Sequence, residues 1–266
     1  MRIVSLVENT TNSELTAKHG LSLYIETRRH RILFDLGPDN TLFENAAKRG
    51  IDISTVDTVV ISHGHADHGG ALKKFLEINS RAAVYVQREA FEPHYSKVWF
   101  CKVPIGLDRS LMSHRQLVLL EGDCTIDDEL RLFTVKSRSD RFYSPANRVL
   151  YDERGQDAFG HEQNLIIVEN KMVLIMGCGH SGVVNIMDVA AKYRPFLCVG
   201  GFPLFNPVTR KSVPESLLDD IAAELRGKYA DTLFYTCHCT GKPAFDYLAR
   251  HMDNMHYIAC GDILEI

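Results

Sequence analysis

The chain has 266 residues, 45% of them apolar, enough to bury a substantial core, and its formal charge of −4 provides no overall basic field to gather nucleic acid or an anionic membrane. Seven cysteines, an odd number with no C-x-x-C pair, exclude a regular disulfide framework and a structural zinc knot, and fit a reducing compartment. The N-terminal apolar run is too short for a signal-peptide core and no apolar stretch approaches membrane-spanning length, so the cytoplasm is the expected location.

In chain order, alternation and β-branched content predict strands at Arg2–Val7, Leu21–Glu26 and Arg31–Asp35, a helix over Thr41–Arg49, and a strand at Thr58–Ile61. A helix from Gly70 to Ile78 and a strand at Ala82–Val86 follow. Glu92–His114, with Trp99, Phe100 and few periodic signals, reads as irregular and long enough for a lid or substrate wall. Strands are predicted at Leu117–Leu120 and Leu130–Val135, then a second irregular stretch, Ser137–Gly160, carries Arg138, Arg141, Arg148 and Arg154. Gln163–Gly177 reads as a hairpin turning at Glu169–Lys171, with a helix opening after Gly182. A strand at Phe196–Val199, a helix over Pro214–Arg226 with Leu217, Leu218, Ile221, Ala222 and Leu225 on one face, and a strand at Thr232–Thr236 lead to a last helix after 237-CHCTG-241. No repeat or linker interrupts this series. The expectation is one domain, 1–266, of the α+β class: a four-layer αββα sandwich with two mixed sheets inside and helices outside.

The stretch 61-ISHGHADHGG-70 places three histidines and an aspartate at the end of a buried strand. Residues i and i+2 of an extended segment project to one side, so His63 and His65 can converge on one ion, with Gly64 keeping the backbone clear. Asp67 and His68 come after the chain turns and can hold a second. Imidazole with carboxylate suits zinc, and also manganese or iron; the lack of thiolate in the cluster points to a catalytic rather than a closed structural site.

The pattern His-x-His-x-Asp-His after a hydrophobic strand resembles the signature of the metallo-β-lactamase fold superfamily. Together, 62-SHGHADHGGAL-72, 161-HEQNLII-167, 177-GCGHSGVVNI-186 and 237-CHCTG-241 are similar to the branch that includes 7,8-dihydropterin-6-methyl-4-(β-D-ribofuranosyl)aminobenzene-5'-phosphate synthase-like proteins. The resemblance implies that His63, His65 and His180 hold one metal, and that Asp67, His68 and His238 hold the other. Two Zn2+ are the expected cofactors, with Mn2+ or Fe as alternatives. His180 and His238 each follow a predicted strand and precede a helix, as the cluster does, so three strand ends can meet at one edge. Asp35, at a strand end in 34-FDLG-37, reads either as a turn residue or as the carboxylate that orients a ligating histidine.

One departure from the family pattern stands out: 196-FLCVGGFPLF-205 contains no carboxylate, where most hydrolases of this fold carry an aspartate that bridges the two ions. Cys198 is the only other possible ligand there. The cysteines 178, 237 and 239, which flank ligands, read as packing residues. His161 and Glu162 either serve as acid, base or substrate contact near the metals, or form a hydrogen-bonded loop pair.

The function implied is metal-assisted hydrolysis. A bound water whose pKa falls from ~16 toward ~7 attacks a phosphoryl or acyl centre, with Asp67 and His161 as catalytic residues. A small phosphoester or related ester, with pterin- or nucleotide-like compounds among the candidates, is the expected substrate, on the strength of the branch resemblance and of the loop arginines, which read either as phosphate contacts or as a solvated face. The alternatives are a thioester or lactone hydrolase, and a non-catalytic metal- or ligand-binding module that has kept the fold. Nucleic acid and membrane are not expected partners.

Overall fold

A computed structural model describes residues 1–266. Two seven-stranded sheets form its centre. In the first, strands run in the order Ile263–Glu265, Arg2–Val7, Ser22–Glu26, Arg31–Phe34, Thr58–Val60, Ala83–Gln87 and Leu117–Leu120. In the second the order is Met255–Tyr257, Leu233–Cys237, Leu197–Gly201, Met172–Ile175, Asn164–Val168, Leu130–Phe133 and Cys124–Thr125.

Both faces of each sheet are covered, which is why the central strands read as continuous apolar runs. Side chains alternate along each strand, so Ile32 and Phe34 enter the core between the sheets while Leu33 packs outward. The middle core joins Ile3, Ile25, Ile32 and Phe34 of one sheet to Leu132, Leu165, Ile175 and Val199 of the other. Outside the first sheet, Leu42 and Ala46 of helix Thr41–Lys48 and Leu72 and Phe75 of helix Leu72–Ile78 cover Leu33, Val59 and Val84. Outside the second, helices Val183–Ala190, Glu215–Lys228 and Lys242–His251 cover Ile166, Leu174 and Phe234. This is the four-layer αββα sandwich, and no helix in it is long and apolar enough to cross a membrane. All seven cysteines are free.

Two expectations need correction. The helix predicted from Gly70 to Ile78 starts at Leu72 and is preceded by a separate short helix, Ala66–Gly69, that was not predicted. The break lies at Gly70, where a Cβ would sit 2.3 Å from the Pro38 carbonyl oxygen, so only glycine lets the chain pass. The segment Glu92–His114 is not irregular: Tyr95–Val98 and Cys101–Pro104 form a hairpin that pairs with Leu150–Tyr151. Its turn lacks the glycine or asparagine that usually signals a hairpin, and Trp99 takes φ 56° itself. Trp99 and Phe100 stand out from that tip at 81% and 97% exposure.

Pairing direction positions the site. Arg31–Phe34, Thr58–Val60 and Ala83–Gln87 run parallel, as do Met172–Ile175, Leu197–Gly201 and Leu233–Cys237. Parallel strands bring their carboxyl ends to one edge, where open α/β sheets build their sites.

Candidate metal centre

Three turns at that edge carry the histidines. The turn after Thr58–Val60 supplies His63, His65, Asp67 and His68; the turn after Met172–Ile175 supplies His180; the turn after Leu233–Cys237 supplies His238. One donor atom from each of His63, His65 and His180 lies within 4.8 Å of the others. His68 Nε2 is 3.2 Å from His238 Nε2, which is 3.3 Å from an Asp67 carboxylate oxygen. The residues assigned to each metal by resemblance are therefore neighbours in space. The side chains of all five histidines are buried, whereas that of Asp67 is 25% exposed.

Hydrogen bonds fix how four of these rings present themselves. His68 Nδ1 donates to Asp35 Oδ2 at 2.6 Å, and His63 Nδ1 donates to Ser62 Oγ at 2.8 Å, which itself donates to Asp35 Oδ2 at 2.7 Å. His180 Nδ1 donates to Asn147 Oδ1 at 2.8 Å, and His238 Nδ1 donates to Asn9 Oδ1 at 2.9 Å. Each acceptor holds the proton on Nδ1 and leaves a lone pair on Nε2, the state in which imidazole binds metal. His65 Nε2 and His180 Nε2 are buried with no hydrogen-bond partner at all. Unsatisfied buried nitrogens are costly, and a divalent ion is a partner that suits this donor set.

Two of the six non-glycine residues with positive φ lie here. Asp35 has φ 60° and His238 φ 49°, left-handed values that cost a non-glycine residue about 1 kcal/mol or more. Glu8 supports His238 by accepting its backbone N–H at 2.8 Å, and Glu162 accepts the N–H groups of His180 and Ser181 at 2.6 and 2.9 Å.

Burial, reinforced by neighbouring imidazoles, holds His63 and His180 well below the ordinary histidine range, and burial takes His65 down to about 3. Burial also lowers His238, against the pull of Asp67. His68 is the exception. Burial would lower it, but the carboxylates of Asp35 and Asp67 outweigh burial and raise it. Burial would raise Asp67, yet His68, His19 and His238 hold it well below the carboxylate range. Neutral imidazoles and an ionised carboxylate are the forms a cation needs.

A cavity of about 300 Å³ opens over the centre. His19, His65, Asp67, His180 and His238 reach it from below, and its walls are apolar, with Pro104, Ile105, Val149, Leu150, Pro203 and Phe205 among them. No lysine or arginine lines it. The loop arginines, which read either as phosphate contacts or as a solvated face, are directed away from the cavity. Arg138 lies over the Tyr143 ring and donates to the Ala158 carbonyl, Arg141 pairs with Asp220 at 2.7 Å, Arg154 lies 3.9 Å from Glu89, and Arg148 is exposed.

His161 and Glu162, read as acid, base or substrate contact or as a hydrogen-bonded loop pair, do not line the cavity. His161 Nδ1 accepts the Gly64 N–H at 3.0 Å and its Nε2 donates to Asp157 Oδ2 at 3.1 Å, so neither nitrogen is free to move a proton. His94 Nδ1 donates to the same Asp157 oxygen at 3.0 Å, and its ring lies against Gly64, where a Cβ would come within 2.7 Å of it. His19, Glu8, Asn9, Asn147, His94 and Asp157 were not singled out from the sequence. His19, in 17-AKHG-20, is an isolated histidine that the fold brings within 3.4 Å of Asp67.

The family model of the metallo-beta-lactamase superfamily matches residues 15–168, more than half of the chain. The protein belongs to that superfamily, a class whose fold is typically that of hydrolases. Among individual relatives, the chain is 28% identical to the uncharacterized protein MJ0448 of Methanocaldococcus jannaschii, over 98% of each chain. It is 24% identical to that organism's 7,8-dihydropterin-6-methyl-4-(beta-D-ribofuranosyl)-aminobenzene-5'-phosphate synthase, over 100% of this chain and 96% of the other. Among solved structures, Tm1679, described as a metal-dependent hydrolase of the beta-lactamase superfamily, superposes with a TM-score of 0.79 at 26% identity, covering 100% of this chain and 99% of the other.

Proposed function

We propose that the protein is a metal-dependent hydrolase of small esters, thioesters or lactones, holding two zinc ions on His63, His65 and His180 and on Asp67, His68 and His238. The observation that carries the hydrolase reading is the common tautomer of His63, His68, His180 and His238, each with Nδ1 donating outward beneath a substrate-sized cavity. Bound ions supply Lewis acidity and, by lowering the pKa of water, a nucleophile at neutral pH. The protein's part is positioning. Asp35, Asn147 and Asn9 fix ring orientation, the apolar walls exclude water, and Asp67, open to the cavity, can accept a proton from the nucleophile. His19, 61% exposed at the side chain beside Asp67, is placed to hand a proton to the leaving group.

The apolar, cation-free walls favour an acyl carbonyl carrying an apolar group over a phosphoester, whose charge would go unpaired except at the metals. A phosphorylated substrate keeps one line of support: the synthase relative's name includes a 5'-phosphate. Zinc-loaded protein assayed on matched lactone, thioester, carboxylic ester, phosphomonoester and phosphodiester panels tests the choice. Turnover of the acyl substrates at least ~100-fold above the phosphoesters is expected, a difference of about 2.7 kcal/mol in barrier. The reverse ranking overturns the substrate class, and no turnover by protein that holds two ions favours a binding module.

A further inference from the structure

The carboxylate absent from the strand Leu197–Gly201 leaves a gap in the donor set that the chain fills with sulfur. At Gly201 a Cβ would come within 2.5 Å of Cys239 Sγ, so the space a longer side chain would enter is already taken. Cys239 Sγ donates to the Cys178 carbonyl at 3.3 Å, bracing the turn that carries Cys178 two residues before His180. Cys178 itself points inward. Its Sγ is 3.2 Å from His68 Nε2, and one donor atom from each of His63, His68 and Cys178 lies within 4.8 Å of the others. His63 belongs to the first ligand group and His68 to the second, so the sulfur sits between the two.

Charge gives this arrangement a purpose. Two divalent ions bring four positive charges into a buried centre where Asp67 is the one carboxylate of the two ligand groups, Asp35 being occupied behind His68 and Ser62 and Asp157 by His94 and His161. An uncompensated buried charge is costly, and a thiolate is a compact anion that can be generated on the spot.

We propose that Cys178 is a metal ligand, its thiolate binding the second ion alongside Asp67, His68 and His238 and supplying the negative charge that the missing carboxylate provides elsewhere. On binding, the S–H bond breaks, the sulfur lone pair goes to the metal, and one proton leaves to solvent. The inference rests on the two-ion reading above and sharpens it. A soft thiolate in the second group selects zinc or ferrous iron and disfavours manganese.

Protein produced with cobalt(II) as its metal provides the test, because a thiolate ligand gives an intense near-ultraviolet sulfur-to-cobalt charge-transfer band that imidazole and carboxylate do not. The band should be present in the wild type and in Cys239→Ser and absent in Cys178→Ser. The second ion of Cys178→Ser should bind more weakly by at least the ~10- to 100-fold that loss of an outer-shell partner costs. Should Cys178→Ser not fold, cadmium-113 resonances of wild-type protein answer the same question, since sulfur ligation shifts one of two signals far downfield. Two bound cobalt ions without the band, or a band lost in Cys239→Ser and kept in Cys178→Ser, overturns the assignment of Cys178 while leaving the hydrolase reading intact. Failure to hold any cobalt overturns both.

Discussion

Two groups of buried histidines share the Gly64 peptide as a neighbour, and they differ in what remains unsatisfied. In the first, His63, His68, His180 and His238 each spend Nδ1 on an outer acceptor and turn Nε2 toward the centre, where that of His180 has no partner and the others meet neighbouring ligand side chains or Cys178. In the second, His94 and His161 spend both: His161 on Gly64 and Asp157, His94 on Asp157 and the Glu89 carbonyl at 3.2 Å. Proximity of His and Asp donor atoms alone does not separate the two, because His65, His94, Asp157 and His161 also gather within 4.8 Å. Tautomer does. A ring whose Nδ1 accepts a backbone N–H carries its proton on Nε2 and has no lone pair left for a cation. On the proposed reading the first group binds the ions, and the second braces the loop between His63 and His65.

The harshest break of this comparison is His63→Ala. Hydrolysis should fall below detection and the first ion should be lost, with the far-ultraviolet circular dichroism unchanged, because the sheet cores do not depend on one loop ion. Cooperative unfolding of chelator-treated wild type would instead make the ion structural and remove the enzyme reading's main support. Next in size is His238→Ala. Calorimetric titration should resolve two sequential binding events in the wild type, and the variant should lack only the weaker; loss of the tighter event would show that the ligand groups are wrongly divided.

The bracing group should respond differently. His161→Leu strands the Gly64 N–H and one bond to Asp157, which should lower stability by ~1–3 kcal/mol while two ions still bind. His161→Asn, whose side-chain oxygen can accept the same N–H, should recover part of that loss in a denaturant melt. A variant that dropped an ion without losing stability would erase the distinction between the groups.

Acid provides a milder probe. In metal-free protein the depressed histidines bind fewer protons folded than unfolded, so stability falls as pH drops below about 6.5 and keeps falling toward the value of about 3 that burial imposes on His65. His68, raised by Asp35 and Asp67, acts above that window instead: its contribution is complete below about 6.5 and is lost as pH rises through its raised value. Bound metal should flatten the profile in this window by competing with protons; identical profiles with and without metal would place the ions elsewhere. The smallest effect is expected at the hairpin tip. Trp99→Ala should change stability by less than ~0.5 kcal/mol and leave turnover unaltered, since Ser96, Pro104 and Ile105 at the hairpin's base form the cavity wall and the tip does not.

What the sequence revealed follows from the range of the interactions. The order of strands and helices, and the turns that carry His63 to His68, His180 and His238, are local: each is written in a run of apolar residues followed by glycine and histidine. Asp35 was legible in part, because a strand-end carboxylate has a position that can be named. Asn9 and Asn147 were not. They reach His238 and His180 across 229 and 33 residues of chain, and an asparagine in a loop carries no mark of the ring it will orient. The two readings of His161 could not be separated for the same reason, since the partners of its nitrogens, Gly64 and Asp157, lie in two different segments. The arginines left an anion site and a solvated face both open, and only the fold shows that Arg141, Arg154 and Arg138 face Asp220, Glu89 and Tyr143.

Because the first sheet contributes His63, His65, Asp67 and His68 while His180 and His238 come from the second, any ion held between them is also a cross-link between the two halves of the sandwich. Its binding free energy counts toward folding, about 4.1 kcal/mol at a free metal concentration a thousandfold above the dissociation constant. A cell that runs short of the metal would then lose more than activity. The unliganded protein, still folded, would open more often between its halves and be cleared faster by proteases, so its abundance would follow the metal supply.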